Sequence, residues 1–286
     1  MDFDPFYSLL LLLMLIIITF LSCVVIIISR MAKKIKEKKN IVLKRVLLGF
    51  GCLIGLLVIG LGIYFGTYYR AGDVAKASLE SEYGMYGIVV EDRSDYVLFD
   101  GPNESDLLVF YPGARVDYKA YAPLMRRLAE QGVDCALVKM SLNFAIFKQN
   151  AFDDVMDSLH VGYQPYEHFY IGGHSMGGAM AAIYASNNPE KVEALVMLAA
   201  YPTKPLAKDL KVLEIYGSND TVINREKLSE GAQYLPENAV VYEIAGGNHA
   251  QFGDYGKQSG DSEATITANK QLDETVEQIS NLLMLK

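Results

Sequence analysis

The chain has 286 residues, enough for one or two domains, and 51 % of them are apolar, a high share for a wholly soluble protein. The net charge of −8 is unevenly placed. Residues 1–29 carry only Asp2 and Asp4, residues 30–45 carry eight Lys or Arg against Glu37, residues 46–69 carry no charge, and residues 70–286 hold the remaining −13. So acidic a domain is a poor partner for nucleic acid and for an anionic bilayer surface.

From Phe6 to Ser29 no residue is charged, and the run exceeds the roughly 20 apolar residues that cross a bilayer as a helix. Its start, "MDFDPF", is acidic where a cleaved signal peptide would be basic. A span over 7–29 is therefore expected, followed by a basic loop at 30–45 and a second span over 46–69. Short loops rich in Lys and Arg stay in the cytoplasm, which places both the N-terminus and everything after Arg70 outside. The second run carries Gly51-x-x-x-Gly55 and Gly62-x-x-x-Gly66, spacings that let helices approach closely. Packing against the first span is the preferred reading, and a homodimer through this face is the second. Cys23 and Cys52 lie in the apolar runs, leaving Cys135 alone in the outer part, with no internal disulfide and no cysteine cluster for a metal.

A polar connector is expected at 70–82, and one α/β domain over 83–286. "GIVVE" and "YVLF" read as a hairpin, "DLLVFYPG" as a buried strand, and Tyr118–Glu130 as a helix with Tyr121, Leu124, Met125 and Leu128 on one face. The alternation continues with "DCALVKM", a helix near "AFDDVMDSL", the strand "HFYIGGHS", a helix over 177–187, and the strands "ALVMLAAY" and "KVLEIYG". A helix over "NREKLSEGAQYL", the strand "AVVYEIAGG" and a final helix over 264–285 complete it. Apolar strands separated by helices predict a mostly parallel sheet covered on both faces. The link "PTKPLAKDL" is too short for an inserted cap, so a site nearby would be open.

Gly173-His174-Ser175-Met176-Gly177 fits G-x-S-x-G between a predicted strand and a predicted helix, where a tight turn exposes a serine nucleophile. A serine needs a base. His160 and His168 read as ordinary residues, and His174 adjoins the serine with its ring expected to point away, for packing or support of the oxyanion loop. His249 alone lies in a loop after the last strand. Asp220 follows the strand ending at Gly217; a cap of the next helix is the plain alternative for it. The order Ser175, Asp220, His249, each at a strand's carboxyl end, is that of a Ser-His-Asp hydrolase. The backbone N–H of Met176 is the expected first oxyanion donor, and that of Ala114 the second, with Arg115 as the alternative.

The stretches "YPGARVDYKAYAPLMRRLAEQG", "VKMSLNFAIF", "GGHSMGGAMA", "YGSNDTV" and "GGNHAQFGDYGKQSGDSEATI" resemble the α/β-hydrolase superfamily, most closely its lidless fold-5 group related to dienelactone hydrolases. The resemblance implies a serine hydrolase. Dienelactone hydrolases proper use a cysteine nucleophile, so that activity is not implied for a chain with Ser175. Leu142, Phe144 and Phe147 are candidates to line an apolar substrate pocket, or else to fill a buried loop; Asp254 and Asp261 read as loop anchors. No metal-ligand spacing and no phosphate-cradling loop is found, and no cofactor is expected. The leading reading is a multi-pass membrane protein with an extracytoplasmic hydrolase domain that cleaves a small-molecule or lipid-like ester through an acyl-enzyme. Acyl transfer to a cell-envelope acceptor, peptidase activity and a non-catalytic binding protein of the same fold remain alternatives.

Overall fold

A computed structural model describes Ile26, Arg30 and residues 40–82, 87–102, 105–160 and 166–284 of the chain. Two compact units divide at Thr67 and Tyr68. The expected first span, at 7–29, lies outside the described residues apart from Ile26, as does most of the basic loop.

Nearly all of the first unit's described residues form α1 (Asn40–Gly66), whose segment Arg45–Gly66 is long and apolar enough to cross a membrane. Its apolar side chains, among them Leu53, Leu56, Leu57 and Ile63, are exposed. Two boundaries differ from the sequence reading. The helix starts within the expected basic loop, because Lys44 and Arg45 have good helix propensity and extend the apolar segment backwards. It also ends at Gly66 rather than Tyr69, and Tyr69 instead forms a β-bridge with Val116 in the second unit.

The second unit is an eight-stranded sheet. Its strands are β1 (Val89–Asp92), β2 (Tyr96–Asp100), β3 (Asp106–Tyr111), β4 (Asp134–Val138), β5 (His168–His174), β6 (Ala194–Leu198), β7 (Lys211–Gly217) and β8 (Val240–Ile244), in the order β1-β2-β4-β3-β5-β6-β7-β8. β2 pairs antiparallel with both neighbours, and every other pairing is parallel. Side chains alternate between two cores. Leu108 and Phe110 of β3 face the layer containing α2 (Asp73–Ala77), α3 (Ala122–Glu130) and α7 (Ala268–Met284), while Leu107, Val109 and Tyr111 face α4 (Ala151–His160) and α5 (Met176–Asn187). A short α6 (Arg225–Gly231) follows β7 and tightens into a 3₁₀ turn at Ala232–Tyr234.

Three segments of this unit differ from the sequence reading. Residues 70–82 are no free connector: Ala71 and Ala75 are buried in the core, and α2 forms within the segment. The final helix begins at Ala268 rather than 264, because the N–H of Thr265 bonds the carbonyl of Gly246 while the Thr267 hydroxyl caps the N–H of Lys270. β8 is an edge strand, so its apolar Val240 and Val241 are exposed rather than covered.

The strand order also places a crevice. After β3 the chain winds toward β4, and after β5 it winds toward β6. The loops at the carboxyl ends of these two adjacent strands therefore diverge, and ligands of open α/β sheets bind where they part. Ser175 follows β5, and Ala114 lies three residues beyond β3.

Candidate active site

Ser175 stands between β5 and α5 with φ 54° and ψ −123°, a region an L-residue occupies only when its surroundings enforce it. The enforcement is visible. The serine N–H donates to the carbonyl of Leu198 at 2.8 Å and its carbonyl accepts the N–H of Ala179 at 3.0 Å. A Cβ on Gly177 would lie 2.0 Å from the carbonyl oxygen of Tyr111, so that glycine lets α5 start against the end of β3. The side chain of Ser175 is half-exposed.

Asp220 and His249 meet because β7 and β8 are parallel neighbours whose ends coincide, Gly217 opposite Ile244. Asp220 Oδ2 accepts from His249 Nδ1 at 2.8 Å, and both side chains are buried. Asp220 Oδ1 accepts the N–H groups of Val222 and Ile223, each at 2.8 Å, so the carboxylate is held from both sides. The alternative role for Asp220 falls away, since Asn224 caps α6 by accepting the N–H of Lys227. With the proton on Nδ1, Nε2 of His249 is left as an acceptor. That atom is buried and has no partner among the described residues, so no hydrogen bond to Ser175 Oγ is formed in this resting geometry. The ring of His249 lies 4.5 Å from that of His174, the residue before the serine.

Met176 opens α5, where its N–H has no acceptor within the helix. Of the two expected donors after β3, Arg115 is committed: its N–H donates to the carbonyl of Asn143 at 2.8 Å. Ala114, half-exposed, precedes it and remains the candidate. Arg115 itself has φ 58°.

Residues 107–273 match the sequence profile of the alpha/beta hydrolase family. The chain belongs to the alpha/beta hydrolase family. Among solved structures, this hydrolase resembles Est1E from Butyrivibrio proteoclasticus at 14 % identity and a TM-score of 0.50, over 69 % of this chain and 99 % of that one. Mouse alpha/beta hydrolase domain-containing protein 10 is similar at 14 % identity and a TM-score of 0.46, over 68 % of this chain and 99 % of that one. A hydrolase from a lagoon sediment metagenome of Mar Chica, Morocco, aligns at 17 % identity and a TM-score of 0.46, over 67 % and 99 %. At these identities the likeness is one of fold. No curated protein matches the chain in sequence.

The hydrolase's remaining expected residues are distributed as follows. Phe144 is buried, whereas Leu142 and Phe147 are exposed, together with Ile146, which sequence reasoning passed over. These residues therefore form an open apolar rim and not an enclosed pocket; the rim is tied to the Ala114 loop through Asn143. No helix occurs between β6 and β7, over residues 199–210. His168 pairs with Glu193 at 3.0 Å at the far end of β5 from Ser175. Asp261 does anchor its loop, its Oδ2 accepting the N–H of Ala250 beside His249. Among the described residues no cluster of His, Cys, Asp or Glu could hold a metal ion.

Two supports of the site carried no sequence signal. Tyr121, read only as a helix-face residue, is fully buried; its hydroxyl accepts the N–H of Gly113 at 3.1 Å and lies 2.8 Å from His174 Nδ1, to which it donates. Burial, and after it the neighbouring His249, hold the His174 pKa well below the ordinary histidine value, which favours the neutral ring that can accept from the Tyr121 hydroxyl. Gln271 of α7 clamps Asn248 on both sides, its Oε1 accepting the N–H at 3.0 Å and its Nε2 donating to the carbonyl at 2.8 Å.

Proposed function

We propose that this alpha/beta hydrolase is a membrane-anchored serine hydrolase that cleaves carboxylic esters through an acyl-enzyme. The observation that carries the reading is the buried pair of His249 Nδ1 and Asp220 Oδ2 at 2.8 Å, which leaves Nε2 as an acceptor on a ring 4.5 Å from that of His174, the residue before a serine on a strained turn. In this reading Ser175 attacks the carbonyl carbon while His249 takes its proton. Asp220 holds the tautomer and stabilises the imidazolium. The backbone N–H groups of Met176 and Ala114 donate to the carbonyl oxygen as it becomes an oxyanion. His249 then protonates the leaving alcohol, and water repeats the sequence on the acyl-enzyme. The absence of a helix between β6 and β7 and the exposed Leu142, Ile146 and Phe147 favour a substrate with an apolar acyl or alcohol part reaching an open site. The glycine face of α1, Gly51-x-x-x-Gly55 and Gly62-x-x-x-Gly66, is read first as packing on the preceding apolar run and second as a homodimer contact.

The anchoring part rests on the apolar segment Arg45–Gly66 and on the charge-free run before it, with the basic residues 30–45 held inside and the hydrolase unit outside. Two experiments test these parts separately. A fluorophosphonate probe should label the full-length protein at Ser175 and fail to label Ser175→Ala; a folded wild type that is not labelled refutes the catalytic reading and favours a binding protein of this fold. Carbonate extraction of membranes should leave the chain in the pellet, and an impermeant thiol reagent should reach a cysteine placed at exposed Lys257 from outside intact cells; release into the supernatant, or labelling only after lysis, refutes the anchoring or its orientation.

A further inference from the structure

The segment directly after α1 lies outside the residues matched to the family, yet it touches both loops on which the proposed chemistry depends. Tyr69 brackets the loop after β3: its N–H donates to the carbonyl of Arg115 at 2.7 Å, and its own carbonyl accepts the N–H of Asp117 at 2.9 Å. A few residues on, the same segment grips the loop after His249. The N–H of Gly72 donates to the carbonyl of Asp254 at 2.7 Å, and the N–H of Ala75 to Asp254 Oδ2 at 2.7 Å. The Tyr69 hydroxyl accepts the N–H of Ser259 at 2.9 Å, and its ring packs on Tyr255 with centroids 5.6 Å apart. This fit is close. A Cβ at Gly72 would stand 2.4 Å from the Asp254 carboxylate, and Ala75 is fully buried.

The Tyr69 contact falls on a strained residue of the site. Arg115 sits at φ 58°, a left-handed conformation costing a non-glycine residue roughly 1–2 kcal/mol, and it persists where hydrogen bonds fix both of its peptide groups. Asn143 holds the N–H and Tyr69 holds the carbonyl. Releasing either bond removes a restraint on the Ala114–Arg115 turn, and with it on the backbone path that carries the Ala114 N–H.

We propose that residues 68–78 are a strap that positions the Ala114 amide and the His249 loop, with Tyr69 and Asp254 as its positioning residues. Hydrolysis by this chain thereby depends on the stretch that joins the catalytic unit to α1. The proposal rests on the serine-hydrolase reading above, and neither residue touches substrate.

The test uses the full-length protein in detergent with a p-nitrophenyl ester as substrate. Three variants are compared: Tyr69→Pro, which deletes the N–H to Arg115 together with the ring and hydroxyl against Tyr255 and Ser259; Asp254→Ala, which deletes the carboxylate at Ala75; and Asp254→Asn, which keeps an acceptor oxygen there. Tyr69→Pro and Asp254→Ala should lower kcat by about 10- to 100-fold, up to the lower range for removing an oxyanion donor outright, with KM unchanged. Asp254→Asn should restore most of the rate. The inhibition constant of phenylboronic acid, whose adduct with Ser175 puts an oxygen in the same hole, should rise by the factor by which kcat falls, which general loosening would not produce. If Tyr69→Pro does not fold, the Asp254 pair carries the test. An active wild type whose variants keep both kcat and boronate affinity overturns the strap alone. A wild type neither labelled by fluorophosphonate nor active removes the serine-hydrolase reading, and the strap's role with it.

Discussion

Replacing Asp220 by asparagine isolates the tautomer of His249. The amide must choose between two environments. One oxygen of Asp220 accepts two backbone N–H groups, from Val222 and Ile223, and the other accepts from His249 Nδ1. Turning the amide nitrogen toward the two N–H donors would orphan both, at about 1–3 kcal/mol each, so the carbonyl oxygen keeps that side and the NH₂ faces the imidazole. Nδ1 must then accept, the ring proton moves to Nε2, and Nε2 can no longer take a proton from Ser175. The negative charge that stabilises the imidazolium is lost as well. The expected result is a fall in kcat of about 10⁴-fold, or roughly 5.5 kcal/mol of barrier, with KM nearly unchanged. Because the Oδ1 bonds persist, the melting temperature should stay near that of the wild type, whereas Asp220→Ala, which orphans both N–H groups, should lower it. Ester hydrolysis and fluorophosphonate labelling rates, read beside thermal melts, decide the matter. A folded Asp220→Asn enzyme within tenfold of wild-type kcat would refute the assignment of Asp220 as the group that orients the base.

Further predictions follow from other parts of the unit. Glu214 of β7 is buried, its Oε2 has no partner among the described residues, and burial raises its pKa from 4.5 to about 7. A carboxyl whose folded pKa is raised binds its proton more tightly when folded, so wild-type stability should fall, relative to Glu214→Gln, as pH rises from about 4.5 to about 7. Above that the deficit should level at roughly 3 kcal/mol, and melts of both proteins from pH 4 to 8 that run parallel would refute it. Gly177→Ala places a Cβ 2.0 Å from the Tyr111 carbonyl and should leave little folded protein by size-exclusion chromatography. Gln271→Leu orphans the N–H and carbonyl of Asn248 at about 1–3 kcal/mol each; hydrogen exchange should quicken around His249, and unchanged protection there would contradict the clamp. Tyr121→Phe should lower kcat more than it raises KM, since Gly113 N–H and His174 Nδ1 both lose their partner; equal effects on the two constants would point to a purely structural role.

Much of the fold was legible because its signals are local. Apolar strands separated by amphipathic helices, the glycines of the turn at Ser175 and the order of Ser175, Asp220 and His249 all follow from short-range periodicity and turn chemistry. The end of β3 was legible too, but not which amide after it stays free. That choice depends on Asn143, 28 positions beyond Arg115 and brought to its N–H only by the folded chain. The segment 142–147 gave no hint that Phe144 turns inward while Leu142, Ile146 and Phe147 face outward, since its two single 3₁₀ turns, Ser141–Asn143 and Ala145–Phe147, are too short to set a readable period.

The stretch "RAGDVAKASLE" marks the boundary most sharply. Its composition is polar and alanine-rich, and sequence alone assigns it no role beyond a connector. In the folded unit Ala71 and Ala75 are buried, and Ala75 bonds a carboxylate 179 positions away. By itself the sequence determined the class of sheet, the apolar segment suited to a bilayer and the identity of the candidate nucleophile, acid and base. Only the tertiary structure decided which backbone groups hold those residues in place. The physical reason is that small side chains and main-chain donors look alike at every position until the path of the chain gives each one its partner.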